Sequence, residues 1–157
     1  MRIIKLSGQE FSDHHEINDF FETYLPGRIP PGKFRLRRTN PDASPKIRED
    51  GLSVGEWLVF VFNNEILWIG KAASGRMDNV SDESDVDLEE YPYFFLVDIP
   101  SLRKVDRVPL EKLEEELRTF IPNLKKISHG RGWPIVEELP TYADKIEKAI
   151  LTILSLS

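Results

Sequence analysis

The stretch "SDHHE", residues 12 to 16, sets Asp13, His14, His15 and Glu16 side by side, all of them side-chain types that ligate divalent cations. Zinc draws on ligands at helix spacing such as i, i+4 together with a third from elsewhere, and adjacent histidines on a helix point about 100° apart. The stretch therefore reads as the solvated first turn of a helix. "GKAASGR", residues 70 to 76, contains glycine and lysine, but not in the order or spacing that cradles a phosphate chain. Asp98 in "LVDIP" is a lone carboxylate at a strand end, where such a residue commonly caps the following turn. The acidic run before Tyr91 lacks the glycine and the terminal glutamate of a calcium loop. The chain has no cysteine, which removes disulfides, thiolate metal sites and a thiol nucleophile. No Ser-His-acid set and no spaced histidine pair is evident to activate a nucleophile or a water. The sequence thus predicts a binding protein rather than an enzyme, with no cofactor and no metal.

Stacking and charge remain. Trp57, Trp68, Tyr91, Tyr93 and Trp133 make a large aromatic set for a small β-rich domain, and they accompany cationic segments. Between positions 28 and 48 lie seven basic residues, among them Arg28, Arg35, Arg37 and Arg38, against the single acid Asp42. A second basic stretch carries Lys125, Lys126, His129 and Arg131, whereas residues 78 to 90 hold seven acids and no base. The net charge of −6 would on average repel nucleic acid, but the basic segments can share one face. Ring faces and guanidinium planes stack on bases at roughly 1–3 kcal/mol per base, while Arg and Lys hold phosphates. Together they are what binding of a single strand or a flipped base requires.

These residues need a scaffold, and 157 residues, 40% hydrophobic and 31% charged, suffice for one domain with one core. No apolar run approaches the roughly 20 residues of a membrane helix, and "MRIIKLSGQEF" lacks the apolar segment of a signal peptide, so a cytoplasmic location and no membrane partner are expected. A surface rich in Glu, Lys and Arg, with Gln9 the one glutamine, matches the balance reported for thermophile proteins.

"MRIIKL" reads as a short strand or arm. A helix capped by Ser12 follows, with Ile17, Phe20, Phe21 and Tyr24 as its core-facing stripe. "LPGRIPPG", residues 25 to 32, is punctuation. "KFRLRR" is a strand with Phe34 and Leu36 inward and Arg35 and Arg37 outward. "GEWLVFVFNNEILWIGKA", residues 55 to 72, is a hairpin turning at Asn63 and Asn64, apolar on both faces. Two apolar faces need two covers, here a barrel core on one side and a helix on the other, with Trp57 in the core and Trp68 bordering a ligand pocket. A loop over residues 73 to 90 precedes "YPYFFLVDIP", a central strand. "VPLEKLEEELRTFIP" is a helix with the stripe Leu110, Leu113, Leu117, Phe120 and Ile121. "LKKISHGRGWPIVEELP" is strand and loop. The final helix starts at Thr141 with Asp144 as capping-box partner and buries Ile146, Ile150, Ile153 and Leu154.

"KFRLRRTN" resembles the first strand of YTH domains, the hairpin is similar to their central hairpin ending in Gly-x-Ala, and "YFFLVDIP" resembles the strand after it. "GRGWPIVEELP" sits where that family, and the related EVE domains, carry a phosphate-contacting loop. The resemblance covers roughly residues 33 to 150. It implies an α+β fold, a PUA-like mixed β-barrel flanked by helices, occupying residues 1–157 as a single domain, with residues 1–32 as an extra N-terminal strand and helix packed on the barrel. It further implies a non-catalytic reader of a modified base, N6-methyladenine or 5-methylcytosine, flipped from DNA or presented in RNA. Carried over, Asn40 would hydrogen-bond the base edge, Arg38 would approach its strand, and His129 and Arg131 would hold phosphate, joined by Arg35 and Arg37 from the cationic face of the strand, and the base would stack on Trp68, Tyr91 or Trp133. The segments in which YTH domains place their cage tryptophans hold none here. The added N-terminal helix would suit the targeting domains of McrB-type restriction systems, whose motor domain would follow Ser157. An RNA-binding module without modification preference, or a protein-interaction domain, would share the same fold.

Overall fold

Asn63 and Asn64 take φ angles of 50° and 61°. Positive φ at both central residues is the two-residue turn whose twist matches the strands it joins, so β3 (Trp57–Phe62) and β4 (Glu65–Ala72) form the hairpin the sequence predicts. The computed structural model describes residues 1–38, 47, 52–80, 88–128 and 132–157; Asn40, His129 and Arg131 lie outside the described residues. β1 (Arg2–Lys5) runs parallel to β3, and β6 (Tyr93–Pro109) runs antiparallel to β4. The start of β6 pairs with β2 (Lys33–Leu36) and with the short β5 (Met77–Asp78). The order is β1-β3-β4-β6-β2.

A straight strand of 17 residues would run roughly 55 Å, too far for one core, and β6 bends instead. From Ile69↔Arg103 to Lys71↔Asp98, two steps on β4 span five on β6. The bulge around Pro100 repairs its own ladder: Ser101 Oγ accepts from Lys71 N (2.8 Å) and donates to Asp98 O (2.6 Å). Bulges of this kind raise local twist, and here they let one strand serve both halves of the sheet. The protein is mixed α+β with a curled, half-barrel sheet; among the described residues the edge strands β1 and β2 do not pair with each other.

Both faces of the hairpin are covered, by different partners. Val59, Val61, Ile66 and Ile69 pack against α2 (Leu110–Arg118) and α3 (Ala143–Leu156) through Leu110, Leu113, Leu117, Ile146, Ile150 and Ile153. Half-buried Trp57 joins that cluster, with the Lys71 ammonium 4.5 Å from its ring centroid. Leu58, Phe60, Leu67 and Trp68 face the concave side, with Phe34, Phe95 and α1 (His14–Asp19) completing the second cluster.

The helices begin and end differently from expectation. Asp13, not Ser12, caps α1, accepting from Glu16 N at 2.9 Å; Ser12 instead donates its N–H and hydroxyl to the Glu16 carboxylate. After Asp19 the chain takes one π turn over Phe20–Tyr24, with Leu25 N–H donating to Phe20 O. The wider turn shifts the apolar stripe by one residue, so Leu25 is buried and Tyr24, expected in the core, is exposed. α2 stops at Arg118, leaving Phe120 and Ile121 to pack from the turn beyond it. A 3-10 turn, Pro140–Tyr142, precedes α3, and no side chain caps either, so the Thr141–Asp144 box does not form. Among the described residues, the expected strand within residues 124 to 140 reduces to a single bridge, Ile135 to Arg2.

Strand alternation points Arg2 to the same side as Ile4, into the concave cluster. It is 2% exposed, and among the described residues its Nε and Nη2 have no hydrogen-bond partner. Desolvation lowers its pKa, partly offset by the charge of Glu56. Buried guanidinium nitrogens without partners are costly, and replacing the side chain by an apolar one of similar length removes that cost. Arg2→Met is expected to raise stability by about 1–2 kcal/mol, measured by urea denaturation; a loss of stability would show that the guanidinium has a compensating partner.

Candidate nucleic-acid interface

β2 alternates cationic and apolar residues and lies at the edge of the sheet, bonded to β6 on one side. On its other side stands the N-terminal segment, and between them lies a groove of about 440 Å³, within the range of roughly 300–1,000 Å³ usual for ligand sites. Phe11, Phe20 and Phe34 form its floor. Phe11 and Phe20 meet edge to face at 5.4 Å, as do Phe20 and Phe34 at 6.0 Å. Tyr91 and Tyr24 stand at its walls, and Arg28, Arg35, Arg37, Gln9, Glu10 and Glu16 complete the lining.

The guanidinium groups of Arg28 and Arg37 are held in place. Arg28 lies over the Phe20 ring at 5.0 Å and donates to Lys33 O at 2.8 Å. Arg37 meets Glu10 and Glu90, each at 2.9 Å, and donates to the Tyr91 hydroxyl at 3.3 Å. That hydroxyl bond, with the nearby Glu10 and Glu90 carboxylates and against partial desolvation, holds Arg37 above the usual arginine pKa. The same guanidinium lies 5.6 Å from the Tyr91 ring centroid and 3.4 Å from Gln9 Oε1. A phosphate at Arg37 would compete with two carboxylates already in place, whereas Tyr91 is fixed by the same contacts in one orientation at the groove wall.

Of the residues expected to bind, Tyr91, Arg35 and Arg37 come together here. Arg38 is exposed beside the groove, its N–H bonded to Glu90 O (2.7 Å) and its Nε to Glu89 O (3.1 Å). Trp133 is half-buried, donates its indole N–H to Lys5 O at 3.2 Å, and meets the Phe34 ring at 6.4 Å. Trp68, expected at the pocket, is 6% exposed, stacked on Phe21 at 5.3 Å and 19°, with its indole N–H bonded to Asn18 Oδ1 at 2.9 Å. Its ring face and its donor are therefore engaged inside the concave cluster.

Sequence reading missed Gln9, Tyr24 and the floor phenylalanines as groove residues. Tyr24 was hidden by the helical period, and Gln9 carried only the weak signal of being the one glutamine. His14 and His15, read as a solvated turn, lie with ring centroids 4.0 Å apart, and among the described residues no group of three His, Asp or Glu is placed to hold a metal ion.

Fold and groove together define a mixed α+β half-barrel protein with a ring-floored, arginine-lined groove along its edge strand. Comparison with protein-family models, with curated proteins and with solved structures returned no match. No helix among the described residues is long and apolar enough to cross a membrane.

Proposed function

We propose that the protein is a non-catalytic reader of a modified base in nucleic acid, of the PUA-like type represented by YTH and EVE domains. The observation that carries this reading is the groove. It combines a phenylalanine floor and an oriented Tyr91, the parts that stack a flat heterocycle, with the guanidinium groups of Arg28 and Arg35 to hold its backbone, while Arg37, paired with Glu10 and Glu90, orients Tyr91. Its lining offers ring faces and hydrogen-bond donors, the chemistry of binding. The curled half-barrel supports the PUA-like reading, and Asn40 retains its proposed part at the base edge. DNA in the cytoplasm is the favoured target, with the domain directing a modification-dependent restriction system.

A base inside duplex DNA must be extruded before a groove can take it, at a cost of a few kcal/mol that an unpaired base spares. A modified base opposite a mismatch or an abasic site is therefore expected to bind about ten-fold or more tightly than the same base in a matched duplex. A panel of N6-methyladenine and 5-methylcytosine oligonucleotides with their unmodified counterparts, single- and double-stranded, DNA and RNA, tests the proposal. Equal affinity for modified and plain bases would leave an RNA-binding module without modification preference, and binding to none would leave a protein-interaction domain.

A further inference from the structure

The loop from Leu25 to Gly32 joins the π turn to β2 and carries Ile29, which is 82% exposed. A single exposed apolar side chain is ordinary; the loop that presents this one is not slack. Gly32 N donates to Leu25 O at 3.0 Å and closes the loop at its base, and Val97 N donates to Gly32 O at 2.8 Å, tying that base to β6. Lys33 N donates to Pro30 O at 3.2 Å, and the Arg28 guanidinium spans the loop to Lys33 O. Gly32 has a φ of +86°, and a Cβ there would stand 2.1 Å from Val97 O, so only glycine allows this close seating. Pro26, Pro30 and Pro31 restrict the remaining dihedrals. Ile29 is thus held out on a pre-ordered loop, next in the chain to Arg28, which lines the groove.

Extruding a base from a duplex leaves a gap whose walls are the two flat faces it had stacked on. Proteins that distort duplexes fill such gaps with apolar wedges, Ile among them, because an apolar side chain covers those faces without needing polar partners between them. A wedge on a rigid loop also loses little freedom on insertion. We propose that Ile29 is such a wedge, entering the duplex stack where the target base has left it, with Arg28 beside it at the backbone. The proposal rests on reading the groove as the base site. It assigns the loop a task that only a duplex target presents, since a single strand has no stack to fill.

The test compares the wild type, Ile29→Ala, Ile29→Leu and Tyr91→Ala by fluorescence anisotropy. The probes carry one N6-methyladenine or one 5-methylcytosine, each as a matched duplex and as the isolated strand. Ile29→Ala is expected to weaken the duplex about ten-fold and the single strand less than about two-fold, with an unchanged melting temperature, and Ile29→Leu is expected to restore duplex binding. Tyr91→Ala is expected to weaken both forms. If Tyr91→Ala weakens both while Ile29→Ala weakens neither, or weakens both equally, the wedge is overturned and the groove reading stands. If Tyr91→Ala weakens neither form, or the wild type binds neither, the groove reading fails and the wedge fails with it.

Discussion

Trp68→Ala is expected to destabilise the protein by about 3–5 kcal/mol, the usual range for truncating a buried aromatic. The side chain is 6% exposed, stacks on Phe21 and holds Asn18 of α1 through its indole N–H. Truncation would open a cavity between the hairpin and the helix and leave the partly buried Asn18 amide oxygen without its donor. Trp68→Phe keeps a ring against Phe21 and gives up the hydrogen bond, so its loss should fall to about 1–2 kcal/mol. Urea denaturation followed by circular dichroism measures both. Binding at a temperature where the variants remain folded should change less than about two-fold. An intact melting temperature with abolished binding would instead return Trp68 to the ligand site.

Tyr91→Ala is expected to cost roughly 1–3 kcal/mol of binding, a five- to 150-fold loss of affinity, because it removes a stacking face from the groove wall. It also releases Arg37, which the hydroxyl and ring of Tyr91 help to hold between Glu10 and Glu90. Tyr91→Phe separates the two effects. If stacking dominates, it binds within a few-fold of wild type; if the hydroxyl acts by orienting Arg37, it falls nearly as far as Tyr91→Ala. Titration calorimetry with a modified single strand distinguishes these outcomes. Tyr91 is half-buried at the edge of the sheet, so a melting temperature lowered as far as that of Trp68→Ala would count against the assignment.

Much of the scaffold was legible because its signals are local. The two-sided apolar hairpin with its Asn-Asn turn, the Leu110, Leu113 and Leu117 stripe, and the Ile146, Ile150 and Ile153 stripe all follow from side-chain periods of two and 3.6. Those periods also require that both hairpin faces be covered, as they are. Where local geometry departed from the period, the reading slipped: one π turn moved Tyr24 out of the core and Leu25 into it.

The groove itself was decided by tertiary structure. Gln9, Arg37 and Tyr91 meet across 28 and 54 residues of chain, and no periodicity encodes that apposition; it follows from the N-terminal segment lying beside β2, where Gln9 and Glu10 reach Arg37. Charge is the clearest case. In sequence the basic and acidic segments stand apart, but in the fold Arg37 pairs with Glu90 and Arg38 bonds to the Glu89 and Glu90 carbonyls, so part of the apparent cationic stretch is neutralised by long-range contact. Trp68 and Tyr91 show the same limit for aromatics. A ring carries the same sequence signature whether it ends in a packed interior or at an open groove: Trp68 on β4 is buried against Phe21 and Asn18, whereas Tyr91, just ahead of β6, lines the groove beside β2.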